Sequence, residues 1–121
     1  MPASAQKGAF PYSFGYLPDL PDSRDYTSAH PKIAPLLSKK PSSMPFSIDL
    51  RAYCPPIYDQ GSIGSCTANA AAGMLEYYRK RAYGKDTPTS RLFIYKCTRD
   101  LMQQKGDSGA YIRTTMGALA L

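Results

Sequence analysis

The sequence holds a single histidine, His30, and only three cysteines, Cys54, Cys66 and Cys97. No two of them form a C-x-x-C pair, which argues against a zinc site, and their odd number argues against a closed internal disulfide framework. At least one thiol is left outside any internal pair. No stretch approaches the roughly 18 apolar residues of a membrane helix. The N-terminal MPASAQKGAFPYSFGYLPDLP has no apolar run behind a basic start, so neither a signal peptide nor a membrane anchor is expected. The compartment stays open between cytoplasm and, with a leader removed, secretion. Acidic residues are the minority, 9 against 15 Lys and Arg, giving a net charge of +6. The basic residues are scattered rather than gathered into a stripe, which is weak support for a nucleic-acid partner. With 121 residues and 43% hydrophobic content, one small domain with a modest core is within reach and two are not.

Proline divides the chain, since ten of its eleven prolines lie before residue 57. Proline fixes φ and removes a backbone donor, so residues 1–43 are expected to be an extended arm that needs another surface to hold it. Within it YLPDLPDSRDY, residues 16–26, mixes aromatic, Leu-Pro and charged residues suited to docking in a groove; a solvated linker is the plain alternative. Phe46 to Leu50 reads as a short strand. From Ser65 the pattern becomes helical. Ser65 suits an N-cap, Ala71, Leu75, Tyr78 and Ala82 recur at helical spacing, and Gly84 is a natural stop after Arg79, Lys80 and Arg81. A second helix is expected from about Ser90 to Gln104, capped by Thr89 or Ser90, with Leu92, Phe93, Tyr95 and Leu101 facing inward. After the glycine-bearing loop GDSGA, a third is expected from Tyr111 through Leu121.

The stretch YDQGSIGSCTANA, residues 58–70, carries the chemistry. A cysteine is an effective nucleophile only as a thiolate, and the start of a helix favours that form through its orphan N–H groups and dipole. Cys66 takes that position. Acyl transfer also needs donors aimed at the oxyanion that develops on the attacked carbonyl. Gln60 supplies a side-chain amide six residues earlier, and Cys66 its own backbone N–H. Gly61 and Gly64 then let the backbone turn tightly and a substrate approach. A structural cysteine behind a glycine turn is the plain alternative.

These residues resemble the papain-like cysteine peptidases, whose Gln-Gly-x-Cys-Gly-Ser-Cys-Trp appears here as Gln60-Gly61-Ser62-Ile63-Gly64-Ser65-Cys66-Thr67. Asp49-Leu50-Arg51, preceded by Pro45, is similar to the strand opening the mature family domain, and SRLFIYKC stands where papain's next helix ends in cysteine. The resemblance covers roughly residues 44–121. It implies an α+β papain-like fold, of which this chain carries mainly the helical subdomain plus the arm. It implies Cys66 as nucleophile and Gln60 in the oxyanion hole, with Gly64, Ser65, Ser108, Gly109, Ala110 and Tyr111 along the peptide cleft, Gly109 giving backbone hydrogen bonds. Peptides or proteins are the implied substrates, and no metal, organic cofactor, nucleic acid or membrane is called for.

The chain departs from the family in two places. Ile63 stands where relatives have a cysteine bridged to the glycine loop, and that loop has no cysteine either, as in a disulfide-poor, microbial-type branch. Thr67 replaces the aromatic residue after the nucleophile. An unbridged buried thiol is the plainer reading for Cys54 and Cys97. The family's His and Asn come roughly 130 to 150 residues after the Cys, so the expected partner is a C-terminal half, on the same or another chain, and residues 1–121 alone are expected to be inactive. His30, in the arm, is read as incidental. Relatives are commonly zymogens, and residues 1–43 could run through the cleft as a propeptide. A catalytically silent module that binds peptides or inhibits a peptidase is the alternative.

Overall fold

The computed structural model describes residues 14–39 and 43–121. The parts of the arm at residues 1–13 and 40–42, including most of the segment read for a leader, lie outside the described residues. Two short strands and four helices follow in the order β1 (Tyr16–Leu17), α1 (Ala34–Leu37), α2 (Cys66–Tyr83), α3 (Arg91–Leu101), β2 (Ala110–Tyr111) and α4 (Ile112–Ala118). Among the described residues, no helix is long and apolar enough to cross a membrane.

The compact units cut across the expected boundary at residue 43. Leu20–Ala52 form one unit, while the described residues up to Asp19 join Tyr53–Leu121 in the other. In the smaller unit, Asp22 and Arg24 close a charged turn at 2.6 Å, and Asp49 and Arg51 pair at the same distance. Donation from Arg51 holds the Asp49 carboxyl below the usual carboxylate range. His30 meets Tyr26 edge-on at 4.7 Å, and its Nδ1 accepts the Lys32 N–H. The strand expected over Phe46–Leu50 does not form. A strand requires a neighbour to pair with, and no ladder is offered to these residues; Phe46 and Ile48 are exposed.

In the larger unit α2, α3 and α4 pack on one another, with β1 and β2 forming a parallel pair beside them. Ala68 and Ala72 of α2 meet Ile94 and Tyr95 of α3 and Ala110 of β2. Of the α2 apolar residues at helical spacing, Ala71 is buried, whereas Tyr78 is 58% exposed and Ala82 is exposed as well. At 18 residues α2 is much longer than its partners of 11 and 7 residues, so its last turns have little to pack against. α3 turns Ile94, Tyr95, Thr98 and Arg99 inward and leaves Leu92, Phe93 and Leu101 outside. Hydrogen bonding selects that face over the greasier one. Arg99 is buried with both terminal nitrogens bonded to oxygens of the following loop, and the Thr98 hydroxyl donates to the Ile94 carbonyl at 2.8 Å.

The helix ends follow local rules with two exceptions. Gly84 closes α2 at φ +67°, and Ser90 caps α3 by accepting the Phe93 N–H. Ser65 sits at the start of α2, but its hydroxyl accepts from the Asn69 side chain instead of capping. α4 stops at Ala118 rather than running through Leu121. Gly117, a poor helix residue, precedes the stop, and the end tightens through a three-residue bond from Ala120 N–H to its carbonyl.

Candidate active site

Cys66 is the first residue of α2 and is half-buried. The loop before it is built by short-range bonds. Asp59 accepts the Gly61 N–H at 2.8 Å, Gly61 turns at φ +62°, and the Gln60 amide donates to the Ile63 carbonyl at 3.0 Å. Gln60 and Cys66 thus stand at opposite ends of one tight turn. Thr67 is buried, its hydroxyl bonded to that of Thr115 at 3.1 Å, so this position joins α2 to α4.

A carboxylate links the turn before Cys66 to the glycine loop. Both oxygens of Asp107 lie 3.0 Å from the Gly64 nitrogen, and the Tyr95 hydroxyl donates to Asp107 at 2.6 Å. Those two donors, Tyr95 first, hold the Asp107 carboxyl below the usual range, with the nearby Arg99 charge adding to them. Burial, and then the bond to Asp107, raise the Tyr95 phenol.

The predicted cleft residues divide. Gly109 spends its polar atoms internally, its carbonyl accepting from Arg99 at 2.6 Å and its N–H pointing at the Tyr95 hydroxyl at 3.3 Å. The open edge belongs to the next residue: Ala110 donates its N–H to the Gly15 carbonyl at 2.7 Å, with Tyr16 opposite Ala110 and Leu17 opposite Tyr111. Ser65 faces inward at 2% exposure, and Ser108 is exposed, 3.4 Å from Gln104. Gly64, Gly109, Ala110 and Tyr111 therefore come together along one edge, and Ser65 and Ser108 do not join them.

A segment of the arm occupies that edge. Gly15 lies so close to the site that a Cβ there would stand 1.7 Å from the Gly64 carbonyl oxygen, and one on Gly109 would meet the Gly15 oxygen at 2.3 Å. Two residues past the strand, Asp19 accepts the Arg113 N–H at 3.1 Å in the first turn of α4. The docking segment read from sequence began at Tyr16; the closest approach is made one residue earlier. Gly15, Asp19, Asn69, Arg91 and Asp107 went unread as site residues. Asp107 could have been found by asking what joins two loops that lack the bridging cysteines.

No disulfide links the three cysteines; Cys97 is half-buried, and Cys54 is exposed rather than buried. Cys54 lies between a 3-10 turn at Arg51–Tyr53 and Pro55-Pro56, in a stretch without regular structure.

No protein-family model matches the chain. It is 36% identical over 114 residues to an uncharacterised peptidase C1-like protein of Acanthamoeba polyphaga mimivirus, covering 84% of this chain and 37% of that one. It is also similar to the crystal structure of xylellain, a cysteine protease from Xylella fastidiosa, with 39% identity and a TM-score of 0.64 over 88% of this chain and 38% of that one. The chain thus spans well under half the length of either relative. The turn before Cys66, the helices behind it and both similarities agree: in sequence and fold this chain belongs to the papain-like cysteine peptidase family and carries its helical subdomain.

Proposed function

We propose that the chain is the N-terminal portion of a cysteine endopeptidase kept closed by its own N-terminal segment. The observation that carries this reading is the strand Tyr16–Leu17, bonded through backbone to the edge at Ala110–Tyr111 beside the turn that bears Cys66. An edge that holds peptide by main-chain bonds is what a peptidase needs to position a substrate.

In the mechanism, a base on the C-terminal half takes the Cys66 proton and the thiolate attacks the peptide carbonyl. The oxyanion is held by the Cys66 N–H and the Gln60 amide. The C–N bond breaks, the base returns its proton to the leaving amine, and water hydrolyses the thioester to a free acid and the thiol. Residues 1–121 lack that base and are inactive by themselves. With residues 14–19 seated along the edge, substrate has no ladder to join, which makes the segment a propeptide.

The test is hydrolysis of a fluorogenic peptide by the full-length protein and its Cys66→Ala variant, before and after removal of residues 1–43. Cys66-dependent turnover that rises on removal of the arm is expected. Peptide binding without turnover would favour the silent module instead.

A further inference from the structure

Oxyanion stabilisation depends on two donors that this chain carries on different segments. The Gln60 amide stands on the turn, the Cys66 N–H on α2, and their spacing sets how well both reach one oxygen. We infer that Arg91, acting with Asn69, is the positioning residue that fixes this spacing. This rests on the peptidase reading above.

Arg91 opens α3. Its Nη1 donates to the carbonyl of Asp59, the residue before Gln60, at 3.1 Å, and to the Asn69 Oδ1 at 2.8 Å. Asn69 passes the link on: its Nδ2 donates to the carbonyl and hydroxyl of Ser65, the residue before Cys66, at 2.9 and 3.0 Å. One guanidinium therefore holds the backbone preceding each donor. The guanidinium itself lies over the Tyr58 ring, 4.3 Å from its centre, and the Tyr58 hydroxyl donates to Glu76 on α2 at 2.7 Å. The other Glu76 oxygen accepts the Thr89 N–H at 2.7 Å, just ahead of α3. The circuit thus closes from turn to α2 to α3. Glu76 is buried, so water competes little for its two bonds. Lysine could not replace the arginine, having no planar face for the ring and no fixed fork of donors.

The experiment uses the full-length protein and its Arg91→Met and Arg91→Lys variants, with three readouts. Peptide amide hydrolysis and inhibition by a peptide aldehyde both place charge on an oxyanion, whereas alkylation of Cys66 by iodoacetamide, a displacement at saturated carbon, does not. For Arg91→Met, kcat is expected to fall roughly tenfold to a hundredfold, the cost of misplacing a group by about an ångström. KM should hold, aldehyde affinity should fall in step with kcat, the alkylation rate should stay, and Arg91→Lys should lie between. If Arg91→Met does not fold, Asn69→Ala reads the same link. Unchanged kcat overturns the inference, and so does alkylation slowed by the same factor as hydrolysis, which would mean general loosening. A wild-type protein that neither cleaves amides nor binds the aldehyde at Cys66 would sink the peptidase reading itself.

Discussion

The tightest constraint at the residue scale is the meeting of Gly15 with Gly64 and Gly109. Gly109 holds φ +84°, a region other L-residues rarely adopt, and both its polar atoms are engaged internally. Gly15 has no such backbone demand; its size alone matters, since any Cβ would drive into the Gly64 carbonyl. Gly15→Val should therefore unseat the arm while leaving α2, α3 and their bonds intact. Weakening the seat by about 1.4 kcal/mol raises the open fraction about tenfold while the closed form dominates. In the full-length protein, peptidase rate should rise by roughly that factor, and cleavage of the arm by an added protease should accelerate. An unchanged rate alongside an accelerated cut would separate arm docking from inhibition.

Elements were legible where local chemistry decides them. The cap at Ser90, the stop at Gly84 and the start of α2 at Cys66 each follow from one or two residues. The inner face of α3 was not, because Leu92 and Phe93 outweigh Thr98 and Arg99 in hydrophobicity while the bonds that draw the polar pair inward come from a loop further along the chain. The Asp107 lock was hidden for the same reason, a carboxylate in a glycine loop looking like a solvated turn until the Gly64 N–H and Tyr95 hydroxyl are placed around it. This lock predicts an acid dependence. Because the folded protein lowers the Asp107 carboxyl, the unfolded chain binds its proton more readily at acid pH. The stabilisation is therefore complete above the unfolded value of about 4 and is lost as pH falls through the lower folded one. Asp107→Asn can keep both bonds, but as weaker neutral ones. Its urea midpoint should lie below wild type at about pH 6 and converge with it at about pH 2. A gap that persists undiminished in acid would mean the charge is not the cause.

The buried hydrophobic residues of the described chain are Ala68, Ala71, Ala72, Ile94, Tyr95 and Ala110, four of the six being alanines. Alanine buries little surface, so the apolar gain of such a core is small against the entropy of ordering the helices around it. Much larger side chains stand outside, with Ile57 fully exposed and Phe93 and Ile112 68% and 46% exposed. That distribution is what a subdomain shows when its main apolar burial comes from contact with a further body of protein. A chain of residues 1–121 prepared alone should bind a hydrophobic dye such as ANS, and should unfold over a broad range well below the transition of the full-length protein. On the proposal that a C-terminal half covers these side chains, dye binding should disappear in the full-length protein. A sharp, dye-free transition in the isolated chain, at the temperature of the full-length protein, would show that the small core suffices and that the exposed apolar residues serve some other contact.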